Sequence, residues 1–182
     1  MMHFGFGCKN FSFAVYIANR PNMLEYQDLS QIMPLTTGEI AAIGQACGNG
    51  WRKVFNVYAK LLYALNKTDF AFATLAPTWQ QYRDSYLLQQ GSHTALLFSA
   101  PILEKSTATL HIICGRTYAK QLLSTGKLNV QFTWLDDEFA INKANNIIVC
   151  PYFDYRQLSN VKIERLAELL SELRKYHLAQ LL

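Results

Sequence analysis

Four stretches of this chain collect residues that could do chemistry. The first is Pro151–Asn160, which reads PYFDYRQLSN and follows an apolar run. Loops are ordinarily polar. Tyr152, Phe153 and Tyr155 therefore need either the protein's own apolar surface or a flat ligand, such as a nucleobase, to cover them. Asp154 and Arg156 are the ligand-binding candidates beside Tyr152. If the loop stays extended to Arg156, side chains alternate. Phe153 and Tyr155 then pack inward, while Tyr152, Asp154 and Arg156 face a ligand. A turn at Asp154, which the residue type allows, reverses that parity beyond it.

The second stretch is Gly115-Arg116-Thr117, between the apolar run Thr109–Cys114 and a helical pattern ending at Gly126. Free N–H groups at a helix start attract anions, and Arg116 would strengthen that. An ordinary strand-to-helix turn uses the same glycine. The third is Asn19-Arg20-Pro21, closing the apolar run Phe11–Ala18, where Arg20 is a candidate ligand contact.

The fourth lies on a helix. Arg52, Lys53, Asn56, Lys60 and Tyr63 fall within about 100° of one another at helical spacing, with Lys67 just beyond. No acid sits among them. Such a stripe can contact phosphates, with Tyr63 available to stack on a base. A solvated helix face has the same composition.

Other groupings point to less. His111 lies inside an apolar strand and reads as a hydrogen-bonded core histidine. Asp136-Asp137-Glu138 reads as a solvated turn. The chain has no G-x-G-x-x-G, no Walker lysine and no G-x-S-x-G. The GFG at Gly5–Gly7 precedes a strand and is given no role. Cys8, Cys47, Cys114 and Cys150 form no C-x-x-C and stand beside no histidine at metal-ligand spacing. No metal and no cofactor are expected, and the thiols read as reduced in a cytoplasmic protein. Phe11–Ala18 is a poor signal segment, because Asn19-Arg20-Pro21 is a poor cleavage site.

The elements that position these residues follow from periodicity. Phe11–Ala18, Thr94–Pro101, Thr109–Cys114 and Asn145–Cys150 are continuous apolar runs, the pattern of strands buried on both faces. Leu128, Val130, Phe132 and Trp134 alternate with polar residues and predict a strand with one wet face. Thr36 with Glu39 predicts a capping box for a helix ending at Gly48. Asn49 caps the next helix, whose stripe is Trp51, Val54, Phe55, Tyr58, Leu62 and Leu65. Thr78 starts a helix to Gln90, and Asn160 caps the last one. The expectation is a single α/β domain over residues 1–182. It is a three-layer sandwich, with a mostly parallel central sheet of about four or five strands and helices on both faces. Ligands in such sheets bind beyond the strands' carboxyl ends, where three of the four stretches lie.

The order of these pieces resembles the uracil-DNA glycosylase superfamily. IANRPN stands at the place of that family's water-positioning loop, which makes Asn19 the catalytic candidate. LHIICGRTYAKQL is similar to its later strand–glycine–helix unit. IIVCPYFDYRQLSN stands at its last motif, with Tyr152 where a His or Asn would be expected and Leu158-Ser159 at the duplex-wedging place. The resemblance implies nucleobase or nucleic-acid binding through Asn19, Tyr152 and Leu158.

Composition adds bounds. The chain has 182 residues, 51% hydrophobic and 16% charged, with a net charge of +4. Disorder and coiled coil are excluded, and no apolar run approaches the ~18 residues of a membrane span. Three functions stay open. One is a nucleobase- or nucleic-acid-binding domain. Another is a small-molecule or anion-binding domain at Gly115-Arg116. The last is a non-catalytic protein whose aromatics cover a homo-oligomer surface. The composition does not decide whether the chain is an enzyme. If the loops form one site, Asn19, Arg116, Tyr152 and Asp154 must converge.

Overall fold

A computed structural model describes residues 2–104 and 108–182. The first half of the chain contains β1 (Gly5–Gly7), β2 (Phe13–Tyr16), α1 (Leu24–Gln27), β3 (Ile32–Met33), α2 (Glu39–Cys47), α3 (Asn49–Ala64) and α4 (Trp79–Ser85). The second half contains β4 (Thr94–Leu97), β5 (Leu110–Cys114), α5 (Arg116–Ser124), β6 (Thr133–Trp134), β7 (Ala140–Asn142), β8 (Ile147–Cys150) and α6 (Asn160–Gln180).

The four apolar runs form the middle of one sheet. β4, β2, β5 and β8 are adjacent and parallel, with Ala14 level with Ala95 and His111, and His111 level with Ile147. Every residue of the four strands is buried. The sheet itself departs from expectation. It has eight strands in the order β3-β1-β4-β2-β5-β8-β7-β6. It is mixed, because β1 runs antiparallel to β4, and β7 runs antiparallel to both β8 and β6. The added strands have only two or three residues each. A segment that short cannot show a period of two. The expected strand over 128–134 shrinks to Thr133–Trp134 for want of a longer partner. The GFG does have a role. A Cβ on Gly7 would stand 2.2 Å from the Thr94 carbonyl oxygen, so only glycine lets β1 lie against β4.

Alternation divides the coverage. Ile112, Cys114, Ile148 and Cys150 face a large core shared with α2, α3, α4 and α6. Ile113, Ile147 and Val149 face Ala119 and Leu122 of α5. α3 is buried around most of its circumference. Val57, Ala59 and Leu61 join the expected stripe, and the Tyr58 hydroxyl donates to the Ala95 carbonyl at 2.9 Å.

Helix ends shift by small amounts. α2 starts at Glu39, and only half of the capping box forms. The Glu39 carboxylate accepts from the Thr36 N–H at 2.7 Å. Gly48 rather than Asn49 precedes α3, and Ser159 rather than Asn160 precedes α6. Thr78 does cap α4, accepting from the Gln81 N–H. That helix stops at Ser85, and Leu88 takes a positive φ of 60°.

His111 is the core histidine expected, 4% exposed. Burial pushes its pKa down to about 4, helped by His3 nearby. Burial also raises the pKa of Tyr16. The Tyr16 hydroxyl and His111 Nδ1 lie 2.8 Å apart and share a buried hydrogen bond between two neutral groups. Between about pH 4 and the ordinary histidine value of 6.5, the unfolded chain binds a proton that the folded one does not. Stability is complete above that window and should fall through it on acidification, by roughly 3 kcal/mol at most. Urea unfolding at several pH values should show this slope in the native chain and a flatter one in His111→Gln. Equal slopes would place the titration elsewhere.

Candidate functional site

The topology creates a crevice. The chain leaves β2 toward β4 through helices on one face, and leaves β5 toward β8, on the opposite side, through α5 on the other. Neighbouring strands whose connections part in this way leave an opening beyond their carboxyl ends. A cavity of about 420 Å³ lies there, lined by Ala18, Gly115, Arg116, Glu138, Tyr152 and Gln157 among others.

Tyr152 lines it, and burial and the neighbouring Cys114 raise the pKa of its phenol, an effect that nearby Asn19 partly offsets. Gly115 lies beside Tyr152 with φ +103°, and a Cβ there would stand 3.8 Å from Tyr152 Cβ. Arg116 is committed to the turn that the sequence read as merely solvated. Its guanidinium donates to the Asp137 carbonyl oxygen at 3.1 Å and lies over Trp134. Asp137 and Glu138 are thereby brought to the crevice wall. Their type gave no hint of this, since β7 and its turn had no recognisable period. Neighbouring Asp136 pairs with Arg165, and Glu138 pairs with Lys162 at 2.8 Å.

Asp154 does not join them, so the four residues expected to converge do not form one site. Its Oδ1 accepts from the Arg156 N–H at 3.0 Å, closing a turn. The Asp154 carbonyl oxygen accepts from the N–H groups of Gln157 and Leu158. Arg156 grips the carboxylate with two donors, at 3.2 and 2.9 Å. Lys53 of α3 adds a third contact at 3.4 Å. The Arg156 guanidinium, above all, holds the Asp154 carboxyl well below the usual carboxylate range. The support that this carboxylate gives is therefore present above the ordinary carboxyl pKa and lost only in strong acid.

The turn breaks the loop's alternation beyond Asp154, leaving Tyr155 and Arg156 both exposed. Phe153 is inward, with no exposed surface, and packs on Tyr58. Its N–H donates to Cys114 Sγ at 3.2 Å. Tyr155, expected inward, is 57% exposed. Leu158 is fully buried and cannot wedge a duplex from there. Arg20 is turned away from the crevice, donating to the Gln27 carbonyl and lying over Phe4.

The basic stripe lines a run of clefts along α3. Arg52 and Asn56 lie in one of about 300 Å³, beside Arg83. The same two residues, with Lys53, Lys60 and Tyr155, line the next, of about 270 Å³. Lys60, Tyr63 and Trp79 line a third, of about 370 Å³. Lys53 lies 5.0 Å from the Tyr155 ring centre, and Lys60 lies 5.0 Å from that of Trp79. The Tyr63 hydroxyl donates to the Ala76 and Pro77 carbonyls, so it braces the start of α4. Lys67 lies beyond the helix and lines none of the three.

Nucleophiles fare poorly. The four cysteines are unbonded. Burial pushes the Cys114 thiol up to about 12 and raises that of Cys150 as well, so both are protonated at neutral pH. Ser99 Oγ lies 3.3 Å from His3 Nδ1 but already accepts the Phe4 N–H, tying the β1 and β4 ends. Among the described residues no group of three or more His, Cys, Asp or Glu could hold a metal ion, and no helix is long and apolar enough to cross a membrane.

Residues 4–171 match a family of unknown function, DUF6942. The chain belongs to this family. No curated protein and no solved structure matches it. The match carries no activity of its own, so the geometry must supply the functional reading.

Loop anchoring separates two substitutions that the sequence pairs. Phe153→Ala should cost about 3–5 kcal/mol of stability, the usual range for a buried Phe. Tyr155→Ala should stay within about 0.5 kcal/mol. Urea unfolding of both variants checks this, and an unshifted Phe153→Ala would refute the anchor.

Proposed function

We propose that this chain is a nucleic-acid-binding domain whose contact surface is the exposed strip of α3. The observation that carries the reading is the run of three clefts, of which Arg52 and Asn56 join the first two and Lys60 the last two. A merely solvated face would send its lysines into water. Here the Lys53 and Lys60 ammonium groups lie over aromatic rings and line concave surface. Arg52 and Lys60 are in no ion pair among the described residues. Phosphates would supply the missing counter-charge. The strip itself carries no acid, although Asp84, Asp154 and Glu164 lie at its borders.

The crevice supports a second reading, a small-ligand site. Tyr152 packed beside Gly115, with Asn19 close to its phenol, favours it. The two polar groups converge where ligands of open α/β sheets bind. Neither Asn19 nor Tyr152 brings a charge, so binding rather than bond cleavage is what that pair supports.

Fluorescence anisotropy with labelled oligonucleotides tests the first reading. Affinity should fall as salt rises, because phosphate contacts release counterions. Arg52→Ala and Lys60→Ala should each weaken binding across sequences and lower the log–log salt slope by about 1. Binding that ignores salt and both substitutions would defeat it.

A further inference from the structure

We infer that the α3 groove takes a single strand, RNA or DNA, and that Tyr155 is the platform on which one base stacks. This rests on the nucleic-acid reading above and adds the substrate class. Three observations carry it.

The first is shape. The contact surface is three small clefts of about 270–370 Å³, divided from one another by the side chains of Arg52, Asn56 and Lys60. Duplex DNA presents phosphate ridges, with its bases paired inside. It offers nothing to fill such clefts. Single-stranded bases are free to splay into them.

The second is spacing. Arg52 and Lys60 are eight positions apart on α3, which at 1.5 Å per residue is about 12 Å. That matches roughly two nucleotide steps of an extended strand, taking a step to be about as long as two residues of extended chain. The footprint is two or three nucleotides, with Arg52, Lys53 and Lys60 on phosphates.

The third is Tyr155 itself. The residue is 57% exposed, yet its backbone is fixed on both sides. Phe153 is locked in the core before it, and the Asp154–Arg156 turn closes around it. A large apolar ring held rigidly in water gains nothing for the fold. Lys53 lies over the ring and leaves much of it open to solvent. A base on the open ring would be stacked beside a cation that also meets its phosphate, the combination that sequence-tolerant single-strand binders use. Sequence selectivity should be weak, because every base has a π-face.

The test compares labelled 12-nucleotide single-stranded RNA, single-stranded DNA, a 12-base-pair duplex and an abasic strand of the same length. Anisotropy is read for the native chain, Tyr155→Phe and Tyr155→Ala. One single strand, RNA or DNA, should bind at least tenfold tighter than the duplex and the abasic strand. Tyr155→Ala should lose about five- to 100-fold on it, the range for one stacked base, and Tyr155→Phe should retain it. Tyr155 is exposed, so the variants stay folded, which thermal denaturation verifies. A duplex or abasic strand bound as tightly as the single strands, or an indifferent Tyr155→Ala, would overturn this inference. The nucleic-acid reading would then survive if the salt slope persists. No binding by any of the four would bring down both.

Discussion

Parallel strands buried on both faces must be covered twice, and most of this molecule answers that constraint. β4, β2, β5 and β8 expose no residue. Crossovers from β2 to one side and from β5 to the other put helices on opposite faces. The same parting of the chain opens the crevice beyond Ala18 and Gly115. It also fixes the fate of α3. Packed against the sheet and touching α2, α4 and α6, this helix has only a narrow strip left for water. Every side chain on that strip must be compatible with solvent, and those present are mainly cationic.

The loop after β8 joins the two regions. Tyr152 and Gln157 line the crevice, while Tyr155 lines the middle one of the α3 clefts. One residue is spent on the core and one on a turn to achieve that. Phe153 fills the space above Tyr58, and Asp154 ties the backbone back on itself. A loop with three aromatics is thus neither wholly packed nor wholly open. Each ring has a different environment, set by position in the turn rather than by residue type.

Much of the fold was legible in the sequence, and the illegible parts share a cause. Runs of four or more apolar residues, such as Ile147–Cys150, announce themselves. β3 and β6, at two residues each, do not. Gly5 and Gly7 looked dispensable because close backbone approach to β4 leaves no trace in spacing. At the site, the sequence brought out Asn19, Tyr152 and Gly115 as residues near strand ends, and Tyr152 does pack beside Gly115. It misjudged Asp154, Tyr155 and Leu158, because one carboxylate can reverse a loop through a hydrogen bond to the N–H two residues on. Asp137 and Glu138 were missed at the crevice wall, since their place there depends on Arg116, which is 21 residues distant from Asp137.

The phosphate role proposed for Lys53 has to be compatible with its pairing to Asp154. The carboxylate's contacts are unequal. Arg156 supplies two side-chain donors, at 3.2 and 2.9 Å, and its N–H a third; Lys53 stands at 3.4 Å. Losing Lys53 would leave the carboxylate charged, hydrogen-bonded and still closing its turn. The buried-charge penalty that makes a broken ion pair expensive would not arise, because the second cation remains. Lys53 is also partly exposed, with a flexible four-carbon stem. It can therefore swing from Asp154 to an incoming phosphate without unseating Tyr155. Arg156 thus fixes the loop, and that leaves Lys53 free to act as a ligand for something else.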